Sequence, residues 1–184
     1  MADGRARPSV CGAEEPALPF PIFLQGIVEH GFGRGSKQLN CATANLPTSA
    51  LDATPPDHRL TDTGVYFGWA QVRVHNDATY KAEDSAVHPM VMSVGWNPQF
   101  ENPTQSVEVH ILHHFAQDFY GREMRVCVLG YIRPERKYES LGTLHIFDAD
   151  ALMKDIETDK QVGQRSLARP AYEALRHAPA FAIA

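Results

Sequence analysis

Gly31, Gly33 and Gly35 alternate along a short run that closes with Ser36 and Lys37. A backbone so free of side chains can turn its N–H groups toward an anion, and a lysine beside it adds positive charge. That combination suits a polyphosphate. Thr43 and Asn45 follow, two neutral oxygen donors of the kind a phosphate-bound Mg²⁺ accepts. The run is not a Walker A loop, because Ser36 precedes Lys37 and the glycines are spaced by two. Nor is it the dinucleotide fingerprint, which needs a third glycine three residues after the second. A tight turn in a β protein uses the same glycines, so spacing alone leaves a phosphate loop and a hairpin both open.

Glu108 is the carboxylate best placed for proton chemistry. It alternates with Val107 and Val109 in a strand-like segment, a position from which a general base can reach a hydroxyl proton. A solvent-facing strand glutamate is the plainer alternative. His110, His113 and His114 do not reproduce the i, i+4 pair of a zinc-binding helix, and no cysteine lies nearby. Zinc is therefore not expected there. Arg133-Pro134-Glu135-Arg136-Lys137-Tyr138 is basic and carries an aromatic ring. It can clamp a phosphate and stack on a flat ring, or it is a solvated loop. Trp69 and Trp96 read equally well as core.

These residues need elements to hold them. Phe23–Val28, Gly64–Val72, Met90–Gly95, Ser106–Leu112 and Arg125–Ile132 have strand composition. Within Ser106–Leu112, Val107, Val109 and Ile111 face one side while Glu108, His110 and Leu112 face the other. Residues 47–63 are a proline-rich loop, and 75–88 read as a long hairpin connection. After Leu141 the apolar period becomes helical, with Asp148 or Asp150 as possible caps, and Leu167–His177 reads as a second helix. Short strands followed by terminal helix, without βαβ alternation, predict a mainly β fold: a small antiparallel barrel with a helix packed on it.

The 184 residues suffice for one domain with a real core, and the net charge of −5 argues against nucleic acid as the main partner. No apolar run approaches the roughly 20 residues that a membrane helix needs. Cys11, Cys41 and Cys127 are odd in number and widely spaced, which fits a reducing, cytoplasmic setting, with organellar import as the alternative. Residues 1–20 mix Arg5 and Arg7 with Asp3, Glu14, Glu15 and several prolines and read as a disordered arm. The expected organisation is that arm, a barrel domain over 21–156 and a helical extension over 157–184.

Taken together, GFGRGSKQL at 31–39, TAN at 43–45, GVYFGWA at 64–70, VMSVGWNPQF at 91–100, VEVHILHHFAQDFYG at 107–121 and GYIRPERKYESL at 130–141 resemble the eukaryotic-type riboflavin kinases. The likeness runs in order from about Phe23 to Ile156. It implies a six-stranded Greek-key barrel with a C-terminal helix. It also implies transfer of the γ-phosphoryl group of ATP to the 5′-hydroxyl of riboflavin, giving FMN and ADP. By that resemblance Gly31 and Lys37 hold nucleotide phosphates, and Thr43 and Asn45 bind ATP and a divalent ion such as Mg²⁺. Glu108 becomes the catalytic base. Ile111, His113 and Tyr120 line the adenine side, while Arg133, Arg136 and Tyr138 contact the flavin. A monomer acting on small molecules is implied.

One departure stands out. Where the family has Gly, an apolar residue and Pro before Thr-Ala-Asn, this chain has Asn40-Cys41-Ala42. Proline would fix φ near −65° and set the direction of the threonine; without it the loop has more freedom. Asn40 tolerates positive φ better than most residues. The rival reading is a flavin- or nucleotide-binding barrel without catalysis, which retention of Glu108, Lys37, Thr43 and Asn45 opposes. A bifunctional adenylyl-transferring enzyme would need a further domain.

Overall fold

The computed structural model describes residues 7–30, 43–74, 77–96, 105–135 and 146–182. Six strands form one antiparallel sheet in the order β1-β6-β3-β4-β5-β2. They are β1 (Ile22–Ile27), β2 (Ala44–Leu46), β3 (Gly64–Val72), β4 (His88–Trp96), β5 (Gln105–Ile111) and β6 (Glu123–Arg133). The meander β3-β4-β5 is followed by β6, which returns to lie beside β3, a Greek-key arrangement. The two edge strands then meet. Glu29, just past β1, bridges Asn45 of β2 and donates its N–H to the Asn45 carbonyl at 2.9 Å. That bridge curls the sheet into the expected barrel. β2 is only three residues long, and its Ala-Asn-Leu sequence lies between turn-rich stretches, so pairing with Val107–Val109 is what makes it a strand.

Side-chain alternation sorts two cores. Tyr66, Ala70 and Val72 of β3 join Met90, Met92, Val107, Val109, Val126 and Val128 inside the barrel. Val65, Phe67 and Trp69 point the other way, with Val91, Cys127 and Leu129. There they meet helix α2 (Ile146–Leu167) and the short helix α3 (Pro170–Glu173). All nine residues of β3 are therefore buried, which is why its sequence lacks the polar half of an alternating pattern. Gly68 is required there: a Cβ would stand 2.0 Å from the Cys127 carbonyl oxygen. Trp69 is core, as one of its readings had it, and its indole N–H donates to the Tyr172 carbonyl at 3.0 Å. Trp96 is not core, being 57% exposed. A four-residue helix α1 (Ser49–Asp52) buries Ala50 and Leu51 within the 47–63 loop.

Three expectations need correction. Residues 7–13 are not free of the fold. Cys11 N–H donates to Ser166 Oγ at 2.9 Å, Arg169 reaches the Cys11, Gly12 and Ala13 carbonyls, and Tyr172 Oη–H donates to Ala13 O at 2.9 Å. Prolines keep the arm irregular, but its main chain finds partners on α2 and α3. Helix α2 also runs unbroken through Ile156, so the barrel domain and the extension share one helix. Asp148 and Asp150 lie inside it rather than at a cap. Among the described residues no helix is long and apolar enough to cross a membrane.

Candidate active site

The outer face of β5 carries Glu108, half-buried, between fully buried Val107 and Val109, as the alternation requires. Its cross-strand neighbours are Ser93 on β4 and Asn45 on β2. Paired residues in an antiparallel sheet share a face, so Ser93, Glu108 and Asn45 form one row, continued by Glu29 beyond β2. The backbone decides how close two of them come. Asn45 gives its carbonyl to Glu29, which turns its own N–H and C=O away from β5. Asn45 and Glu108 are then a non-hydrogen-bonded pair, the kind with Cα atoms only about 4.5 Å apart and side chains nearest each other.

Thr43, half-buried, stands two residues before Asn45 where β2 begins. On the other side of the glycine run, His30 stacks on Tyr120 with ring centroids 3.7 Å apart. Val28 is fixed by its N–H to Arg122 O and its carbonyl to Gly121 N–H, both at 2.9 Å. The described residues on either side of the glycine run are thus attached to the barrel: Val28–His30 through Gly121, Arg122 and Tyr120, and Thr43 through the strand it precedes. Gly31 and Lys37 themselves lie outside the described residues, as do Asn40-Cys41-Ala42.

A second carboxylate approaches the row. Glu135 lies just past β6, and its carboxyl lies against Gly95 of β4, its Oε1 only 1.9 Å from where a Cβ would stand. Desolvation of its carboxyl, together with the negative charge of Glu108 and against the pull of Arg133, raises the Glu135 pKa. Among the described residues no group of three His, Cys, Asp or Glu side chains is arranged to hold a metal ion. Thr43 and Asn45, with neutral oxygens, remain as donors of a different kind.

Other expected site residues are placed less simply. The Ile111 side chain is 6% exposed and belongs to the barrel core. Its backbone is better placed for a ligand. Leu112 N–H bonds Pro89 O at 2.8 Å, so alternation turns the N–H and C=O of Ile111 to the opposite edge, beyond the last residue that β2 pairs. His113 is engaged with Asp84 through Nε2 at 2.8 Å and stacks on His88 at 4.0 Å. Arg133 forks onto Asp159 of α2, with Nε 3.0 and 3.2 Å from its two oxygens. Arg136 and Tyr138 lie outside the described residues.

Sequence reasoning passed over Asp84, Glu135 and Asp159. Asp84 sits in a polar stretch and Asp159 in a helix with no marked periodicity, so nothing local signals that they are buried. Glu135 was visible only as one charge in a basic segment.

The fold is a closing antiparallel barrel backed by a helix, with a carboxylate and an amide paired on its outer face. The family model described as "Flavokinase: Riboflavin kinase" matches residues 18–167. The chain is 45% identical over 174 residues to the riboflavin kinase of Pyricularia oryzae, covering 91% of this chain and 82% of that one. It is 43% identical over 141 residues to the riboflavin kinase of Homo sapiens, covering 77% and 80%. Among solved structures, riboflavin kinase from Trypanosoma brucei superposes with a TM-score of 0.57 at 27% identity over 85% of both chains. The chain belongs to the flavokinase family, the riboflavin kinases, and is an enzyme of that kind.

Proposed function

We propose that this chain transfers the γ-phosphoryl group of ATP to the 5′-hydroxyl of riboflavin, producing FMN and ADP. The observation that carries the reading is the Asn45–Glu108 pair, set across the junction of β2 and β5 where Glu29 closes the barrel. Phosphoryl transfer asks a protein mainly for alignment and charge compensation. Glu108 accepts the 5′-hydroxyl proton as that oxygen attacks phosphorus, and the bond from phosphorus to the ADP oxygen breaks. Lys37 and the N–H groups after Gly31 offset phosphate charge.

Thr43 and Asn45 hold Mg²⁺ in this reading. Their hydroxyl and amide oxygens, the latter on the residue paired with Glu108, would supply the oxygen donor chemistry that this hard cation prefers over thiol or imidazole. When bound, the ion supplies charge compensation to the phosphates. The Ile111 backbone edge offers one donor and one acceptor to adenine. Tyr120, 40% exposed and stacked on His30, lines the adenine side. His113 supports that side through Asp84. Arg136 and Tyr138 contact the flavin in this reading, while Arg133 is engaged with Asp159. The test is FMN formation from riboflavin and Mg-ATP, followed by chromatography. Product that depends on both ATP and the divalent ion is expected; binding of flavin and nucleotide without product would leave only the non-catalytic barrel.

A further inference from the structure

Strand β5 ends at Ile111, but its contact with β4 runs further. Leu112 N–H donates to the Pro89 carbonyl at 2.8 Å, and the β4–β5 register then sets His113 level with His88. Their imidazole rings stack with centroids 4.0 Å apart and planes within 7°. Phe115 meets the His113 ring edge-to-face, with centroids 4.7 Å apart. His88 in turn pairs with Ala70 of β3, inside the barrel core. The stack thus covers the end of an interior row.

A buried carboxylate fixes the orientation of this stack. Asp84 belongs to a short 3-10 turn, Ala82–Ser85, and its side chain is 4% exposed, against 17% for His113. It accepts hydrogen bonds from His113 Nε2–H and from Lys81 N–H, each at 2.8 Å. The same turn takes the other ring, because His88 Nε2–H donates to the Glu83 carbonyl at 2.8 Å. Gln71 of β3 ties the turn to the barrel, its amide donating to Ser85 O at 2.9 Å. Both rings and the turn are therefore one hydrogen-bonded unit. Truncating Asp84 would leave the imidazole and the Lys81 N–H without the partner they are built around.

What this unit holds is the last residue of β5. Strand β2 pairs only with Val107–Val109, so the N–H and C=O of Ile111 point to an edge beyond that pairing. The position of a strand end depends on what anchors the chain just past it, and His113 is two residues on. In an extended residue the N–H and C=O lie side by side, a donor next to an acceptor. Adenine presents the complement along one edge, an amino donor beside a ring-nitrogen acceptor. A 6-oxo purine presents an acceptor beside an N–H, the reverse order. We propose that Asp84 is a positioning residue for the nucleotide base: through His113 it holds Ile111 so that this backbone edge selects adenine over a 6-oxo purine. The inference rests on the assignment of the Ile111 edge to adenine under the proposed function.

The test uses the full-length chain and compares wild type with Asp84→Ala, Asp84→Asn and His88→Ala. FMN formation is measured with ATP and with inosine triphosphate, giving KM for each nucleotide, KM for riboflavin and kcat, with thermal unfolding as a control. Wild type should use inosine triphosphate at least about tenfold less efficiently, since both polar groups of the Ile111 edge then face like partners. Asp84→Ala should raise KM for ATP roughly three- to tenfold and narrow the preference for ATP, with KM for riboflavin within about twofold. Asp84→Asn keeps an oxygen for His113 and should recover most of the loss. If Asp84→Ala does not fold, His88→Ala decides, with a rise in ATP KM and a narrowed preference expected from the lost stack. Equal changes in the ATP and riboflavin KM values, or a lowered unfolding temperature with ATP KM and preference unchanged, would overturn the inference. The failures separate by level. No FMN from ATP in wild type removes the proposed function itself. A wild type that uses both nucleotides equally removes the adenine edge and the inference with it. A discriminating wild type with an unaltered Asp84→Ala removes only the positioning role.

Discussion

Asn45 and Glu108 face each other across β2 and β5 as a non-hydrogen-bonded pair, because Asn45 spends its carbonyl on Glu29 instead of on β5. The closing bridge of the barrel and the geometry of the proposed site are therefore one event. A strand of only three residues can hold an amide beside a carboxylate because its neighbours on both sides are fixed. Thr43 lies two residues before Asn45, just ahead of β2.

Removing either proposed metal donor should be felt in the metal titration. Asn45→Ala and Thr43→Ala are expected to raise the Mg²⁺ and ATP concentrations required for half-maximal rate, by roughly tenfold or more for a lost ligand oxygen. Their riboflavin KM should change little. An unaltered Mg²⁺ titration in both variants would count against the two residues as ligands.

Gly68 predicts a stability cost away from the site. A methyl group there would press on the Cys127 carbonyl oxygen from 2.0 Å and on the Met90 side chain from 2.8 Å. The β3–β6 ladder is backbone and cannot swing aside, so Gly68→Ala should lose at least about 1–3 kcal/mol, as overpacking of a tight core does. Urea unfolding measures this, and a wild-type midpoint would refute the close approach.

Asp84 links stability to acid. Burial opposes its ionisation, but hydrogen bonds from His113 and from the Lys81 N–H outweigh that, so its pKa lies below the usual carboxylate range. A carboxylate depressed in the folded state contributes stability above its unfolded pKa of about 3.9 and loses it as pH falls through the folded value. Urea midpoints measured from neutral pH down to about pH 3 should fall more steeply for wild type than for Asp84→Asn. Parallel curves for the two proteins would remove Asp84 from the acid response.

Cys127 should be chemically silent in the native protein. It is fully buried between β6 and the helix layer, and burial pushes its thiol pKa up to about 12. Thiolate is the reactive form, so alkylation near pH 8 followed by mass spectrometry should leave Cys127 unmodified until denaturant is added. Rapid native labelling at this residue would show that the helix layer opens.

Much of the barrel was legible because five strands carry their own signals: period-2 alternation in Ser106–Leu112 and aromatic or β-branched runs elsewhere. The placement of Glu108 followed from that alternation alone. β2 was not legible, since Ala44-Asn45-Leu46 is a strand only by virtue of its partners. The arm was misread because its proline-rich composition looks solvated, whereas Arg169, Tyr172 and Ser166, distant in sequence, supply its hydrogen bonds. Arg133 drew attention as a free cation for a ligand. Its partner Asp159 lies 26 residues away in an unremarkable stretch of helix, and sequence spacing carries no sign of such a pairing.

The most direct measurement of the account is turnover of Glu108→Gln with binding measured alongside. Removing a general base commonly costs about 10²- to 10⁴-fold, while the isosteric amide preserves the shape of the site. The account predicts FMN formation reduced by that order, with riboflavin and ATP affinities within a few-fold of wild type. Near-normal turnover by Glu108→Gln would contradict it.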